Sequence, residues 1–178
     1  MDHLHTFTAF AATYGSLDDA EAGYKAITDL SNKEYVLESF DVAVLTKDDK
    51  GKVKIVKKHE QPLRKGVWVG GGLGLATGLC VALFPAVVAG AAIVAGVGMG
   101  SALGALAGHA AGGMSRSDLK DFGETLDQGH SAVVAVAVPE IADRVADCLQ
   151  GAQKVERRVL KADPAAVQAD VERAGDDV

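Results

Sequence analysis

The side chains from which a reaction would have to be built are few. His3 and His5 stand two apart, so an extended strand would turn both to one face, where a third ligand could complete a metal site. His59, His109 and His130 are scattered, and no spacing brings one of them to that pair. Cys80 and Cys148 make no Cys-x-x-Cys unit, and two thiols in 178 residues do not form a disulfide framework, which leaves a reducing cytosol as the default. Ser131 follows His130, yet no Gly-x-Ser-x-Gly elbow surrounds it, and adjacency in sequence is not triad geometry. The expectation is a non-enzymatic protein with no catalytic residue, no metal and no cofactor.

The strongest pattern is structural. Glycine recurs every fourth residue at Gly66, Gly70, Gly74 and Gly78, and again at Gly96, Gly100, Gly104, Gly108 and Gly112. Glycine costs a helix about 1 kcal/mol relative to alanine, so close packing has to offset the loss. Residues four apart share one side of a helix, and a side without side chains lets a second helix approach closely. A phosphate-cradling loop fits poorly, because no Lys-Ser/Thr pair follows "GGGLGLATG" and no acid lies about 20 residues on. A flexible linker fits no better, since the gaps hold Val, Leu, Ile and Ala rather than Ser and Asn. The spacing predicts a glycine-zipper helical hairpin, with helices over residues 67–84 and 86–108 around Pro85.

No Asp, Glu, Lys or Arg occurs between Lys65 and Arg116. Residues 67–84 would make about 27 Å of helix against about 30 Å of hydrocarbon, and residues 86–108 would span with length to spare. Arg64 and Lys65 precede the segment and Arg116 follows it, which by the positive-inside rule keeps both flanks in the cytosol. Trp68 stands where an interfacial aromatic would, and His109 where the second helix meets the interface. The basic run from Lys52 to Lys65 suits either anionic headgroups or a protected strand edge. Against the membrane stands the connection "ALFPAVVAGAA", which has no polar residue to surface on a far side. A soluble homo-oligomer burying its hairpins in a central core would meet the same constraint without lipid.

The flanks read as ordinary α+β protein, and their charge (−6 overall) argues against nucleic acid. The start, "MDHLHTFTAFAATYG", lacks a basic n-region and is a poor signal peptide. Alternation predicts a strand over 5–11, and Ser16 is placed to cap a helix on whose face lie Leu17, Ala20, Tyr24, Ile27 and Leu30. Residues 35–46 and 52–59 predict a β-hairpin around "KDDKG". Leu119, Phe122 and Leu126 mark a short helix. "SAVVAVAV" suits a strand covered on both faces. A helix from Pro139 to a Gly151 cap follows, then the strand "KVERRVLKA" and a last helix capped by Asp163. The two strand–helix–strand units predict a ferredoxin-like split βαβ sheet with helices on one face. The organisation is therefore residues 1–64 and 116–178 as two halves of one domain, interrupted by a hairpin at 65–115.

The order of elements, "KDDKGKVKI", and the segment "LKDFGETLDQGHSAVVAVAV" resemble a bacterial family of proteins with a domain of unknown function, labelled "predicted membrane protein". The resemblance runs from about His5 to Ala162, and its most specific part is the turn "LDQGHSAVV", with its Leu-x-x-Gly-x-Ser-Ala step. It implies membrane association and supplies no catalytic residue. Three functions are therefore expected in turn. The first is a self-associating structural or regulatory protein of the cytoplasmic membrane, partnered by lipid and by copies of itself, with a stress response as one setting. The second is a cytoplasmic soluble oligomer built on the hairpins. The third is a small-ligand sensor. Replacing Gly74 and Gly104 by leucine is expected to weaken hairpin closure or self-association while the flanking domain stays folded. Sedimentation and circular dichroism of the double variant check this.

Overall fold

The structure, a computed structural model, describes residues 4–33, 40–50, 53–60, 76, 79–80, 88–89, 113–163 and 166. In chain order the elements are β1 (His5–Tyr14), α1 (Leu17–Lys33), β2 (Phe40–Lys47), β3 (Val53–Glu60), β4 (Val88–Ala89), α2 (Arg116–Gln128) and β5 (Ser131–Ala137). A 3-10 turn at Pro139–Ile141 then leads into α3 (Ala142–Cys148), and β6 (Lys154–Ala162) follows. The protein is α+β. Five strands form an antiparallel sheet, and the two-residue β4 adds to its edge in parallel, giving the order β4-β3-β2-β5-β1-β6. The units β1–α1–β2 and β5–α3–β6 interleave, so that β5 lies between β2 and β1.

Local chemistry places most boundaries. The Ser16 hydroxyl accepts from the Asp19 N–H at 3.2 Å and donates to its carboxylate at 2.7 Å, closing the first turn of α1. Ser115 does the same for α2, accepting from the Asp118 N–H at 3.0 Å. Ile141, Val145 and Leu149 all point inward from α3 and its flanks, as their spacing predicts. The carboxylate of Asp163 accepts from the Ala166 N–H at 3.4 Å, as a helix cap would. The rest of the expected last helix lies outside the described residues.

Every residue of β5 is buried. Period-two alternation sends Ala132, Val134 and Val136 to one face and Val133, Ala135 and Ala137 to the other, so both faces require a cover. β1 behaves alike, with Phe7, Ala9 and Ala11 against Phe10, Ala12 and Tyr14. α1 and α3 cover the second set through Ala20, Ile27, Ala142 and Val145. The first set meets Phe122 and Leu126 of α2, together with Ala76, Leu79 and Cys80 of the glycine-rich segment. Helices therefore occupy both faces, not one as the repeat of strand–helix–strand units suggests. The physical reason is the two-sided apolar alternation of the central strands.

Adjacent arginines on β6 pin the two layers. Arg157 reaches Asp143 of α3 at 2.7 Å, and Arg158 reaches Asp118 and Asp121 of α2 at 3.0 and 3.3 Å. Neighbours in a strand point to opposite faces, so one dipeptide serves both sides.

One expectation for the glycine-rich segment is corrected where it is described. Val88 and Ala89 form a strand beside Lys54 and Ile55, not the first turns of a helix over 86–108. β3 would otherwise present an open edge there, and the β-branched Val88 suits extended pairing. Residues 76, 79 and 80 are helical, as expected for 67–84, but they are buried against the sheet. Among the described residues no helix is long and apolar enough to cross a membrane.

The step from α2 to β5 is a packing device. Leu126 is buried, and a Cβ on Gly129 would stand 2.8 Å from the Cβ of Thr13. The backbone there has φ −90°, so glycine is required by close approach and not by a left-handed turn. Gly129→Ala is expected to destabilise the fold by about 1–3 kcal/mol through overpacking. At roughly 2–4 °C per kcal/mol for a chain of this size, a thermal melt resolves the difference.

Candidate functional site

Phe40, Val42 and Val44 of β2 pack on the α1–α3 face, so Asp41, Ala43 and Leu45 point to the other. Asp41 is fully buried there. Its Oδ2 accepts the backbone N–H of Ala76 at 2.8 Å, across 35 positions of sequence. A buried carboxylate is costly unless hydrogen bonds replace its water, and donation from a backbone N–H is a charge-assisted bond of the stronger kind. Beside it, Ala76, Leu79 and Cys80 fill the space between the sheet and α2, with Met114 closing the cluster. This is where the glycine-rich segment is anchored to the domain.

The anchor is not built for nucleophilic chemistry. Burial, and then the negative charge of Asp41, push the Cys80 thiol far above its ordinary range. Reactive thiols need the opposite, an exposed position with cations close by. Cys80 serves as a small apolar side chain in the core.

Tyr14 occupies a second polar site on the opposite face. Its ring is buried between β1 and α1, and a Cβ on Gly23 would collide with its hydroxyl, so that glycine is what lets the phenol lie against the helix. Among the described residues the hydroxyl has no hydrogen-bond partner. It borders an open hollow of about 220 Å³ shared with Asp19, Ala22, Gly23, Cys148 and Gly151. A water or a small polar molecule with an acceptor would satisfy it. Burial, then the neighbouring Cys148 and Asp19, raise the phenol to about 12.

The residues singled out in the sequence fall differently. Gly66, Gly70, Gly74, Gly78, Gly96, Gly100, Gly104, Gly108, Gly112, Arg64, Lys65, Trp68 and His109 lie outside the described residues. Arg116 opens α2 and is exposed. His130 is exposed, and Ser131 is buried with its hydroxyl 3.1 Å from that of Thr46, a bond that ties β5 to β2. Ser131 thus holds the sheet together. His5 begins β1 on the exposed side. Among the described residues no group of three His, Cys, Asp or Glu side chains stands close enough to hold a metal ion.

Asp41 and Tyr14 were both missed by motif reading. The signal for Asp41 was legible, because a lone acid within "FDVAVL" interrupts a run with apolar residues on both parities. Tyr14 gave none, since a tyrosine ending a strand is common in cores.

The family described as "Protein of unknown function (DUF1269)" matches residues 67–171. No curated protein and no solved structure matches the chain.

The raised Tyr14 pKa carries a signed prediction. The folded state holds the proton up to about 12, the unfolded state only to 10.0. The contribution is therefore complete below pH 10 and falls as the pH rises from about 10 to about 12. Tyr14→Phe is expected to flatten that part of the stability curve. At neutral pH it should leave stability equal or higher, because a buried donor without an acceptor is removed. Urea titrations of both proteins at pH 7 to 12 measure the two effects.

Proposed function

The chain belongs to the DUF1269 family of proteins of unknown function, and for it we propose a non-enzymatic, self-associating structural or regulatory role in which protein, not lipid, covers the glycine-rich segment. The carrying observation is the burial of Ala76, Leu79 and Cys80 against the sheet, with the Ala76 N–H held by Asp41. These residues fall in the second half of 67–84, the stretch that would cross a bilayer. A helix whose backbone is bonded to a strand of the sheet domain has protein on that side, which supports this reading. Beyond that anchor, the glycine positions from Gly66 to Gly112 would form close-packed helix contacts, within the chain and between copies. The domain that carries them is arranged as a ferredoxin-like split βαβ pair. Its four strands β6-β1-β5-β2 and the helices α1 and α3 supply the parts, and β3, β4 and α2 belong to the insertion between β2 and β5.

A second reading keeps the segment in the cytoplasmic membrane with both flanks in the cytosol. It is favoured by the stretch without Asp, Glu, Lys or Arg between Lys65 and Arg116. That reading requires Ala76, Leu79 and Cys80 to leave the sheet, uncovering apolar residues of β1, β2 and β5 that water would then meet. The two differ in where the apolar surface is paid for.

Membrane fractionation of the untagged protein with a carbonate wash, followed by light scattering on the soluble fraction, separates them. The expected outcome is detergent-free particles of several chains. Retention in the washed pellet, with release only by detergent, would establish the membrane hairpin instead.

A further inference from the structure

Among the described residues β6 is the last strand on its side of the sheet. The N–H of Lys161 donates to the Gly113 carbonyl at 3.0 Å, so at Lys161 the backbone faces away from β1. Backbone groups in a strand alternate sides, which turns those of Val155, Arg157 and Val159 outward as well. No backbone partner meets these three among the described residues, and the Arg157 carbonyl accepts only from its neighbour Arg158, at 2.9 Å. Natural edges are usually blunted. Here Gly113 blocks one end and Lys154 stands at the other, while Val155 and Val159 between them are 40% and 56% exposed.

The open stretch is complementary to itself. Two copies of β6 laid antiparallel about a two-fold axis at Arg157 place Val155 of each opposite Val159 of the other, and Glu156 of each opposite Arg158. Outward backbone groups then meet at 155, 157 and 159, giving about six inter-strand hydrogen bonds. Apolar and opposite-charge cross-strand pairs each favour the register. The neighbouring symmetric registers do not share this. Moving the axis to Glu156 sets glutamate against glutamate and Lys154 against Arg158, and moving it to Arg158 sets arginine against arginine. The one like pair in the favoured register, Arg157 with itself, is already held on each copy by Asp143 at 2.7 Å and lies over the Phe10 ring at 5.6 Å.

We propose that β6 binds a second copy of this chain, joining two sheets edge to edge about Arg157 into one continuous sheet. The interface needs none of the glycine-rich segment and goes beyond the function proposed above.

Mild oxidation of Arg157→Cys in the full chain tests the axis, because residues that face themselves across such a pair stand about 5.5 Å apart at Cα, within disulfide reach. A covalent dimer well above the wild-type background from Cys80 and Cys148 is expected. Val155→Cys should show no such gain alone, and should crosslink when mixed with Val159→Cys. Val159→Lys, followed by light scattering with circular dichroism as a folding control, should halve the particle mass. Repeating the Arg157→Cys oxidation with Gly74→Leu and Gly104→Leu present separates the two associations, since edge pairing should persist when packing of the segment is lost. Wild-type crosslinking levels in Arg157→Cys, or an unchanged mass in folded Val159→Lys, would overturn the proposal.

Discussion

A central strand with no exposed side has to be covered twice, and the rest of this protein follows from that requirement. β5 is buried along its whole length, and its neighbours β1 and β2 carry apolar residues on both parities. The hydrophobic effect rewards removing both faces from water and does not distinguish what does the covering. One face takes α1 and α3, the helices that connect its own strands. The other takes α2 and a piece of the glycine-rich segment, which both lie between β2 and β5 in the chain. The glycine-rich segment is thereby part of the core at residues 76, 79 and 80.

That arrangement brings part of the apolar segment onto the sheet, at Ala76, Leu79 and Cys80. Hydropathy measures how strongly a stretch avoids water, and a sheet face satisfies the avoidance as well as a lipid chain does. The sheet also offers the segment a polar contact. Asp41 offers a buried acceptor to the Ala76 N–H, a contact with a definite direction that hydrocarbon could not supply. Beside it the sheet is lined with small residues, Ala9, Ala11, Ala43 and Ala132, which lets a helix come close.

The two arginines of β6 show the economy of a strand at the boundary between layers. Arg157 and Arg158 each hold one helix layer, and the alternation that separates them also leaves Val155 and Val159 exposed on the α3 side of the same edge. Strength toward the core and openness at the edge come from one pattern. Among the described residues β4 adds to the sheet beside β3, and no strand adds beside β6.

What the sequence determined by itself is what depends on neighbours in the chain. Alternation located β1 and β6, the turn "KDDKG" placed β3, the Ser16 cap started α1, Leu119, Phe122 and Leu126 marked α2, the stripe of Ile141, Val145 and Leu149 oriented α3, and "SAVVAVAV" announced a strand buried on both sides. These signals are local because a side chain's face in a helix or strand is set within a few residues. Only the tertiary structure decided which layer covers which face, that Asp41 meets Ala76 across 35 residues, that Val88 and Ala89 pair with β3, and that Gly129 is needed by Thr13. Those outcomes rest on contacts between distant segments, and an apolar pattern records only that a surface must be covered, never by what.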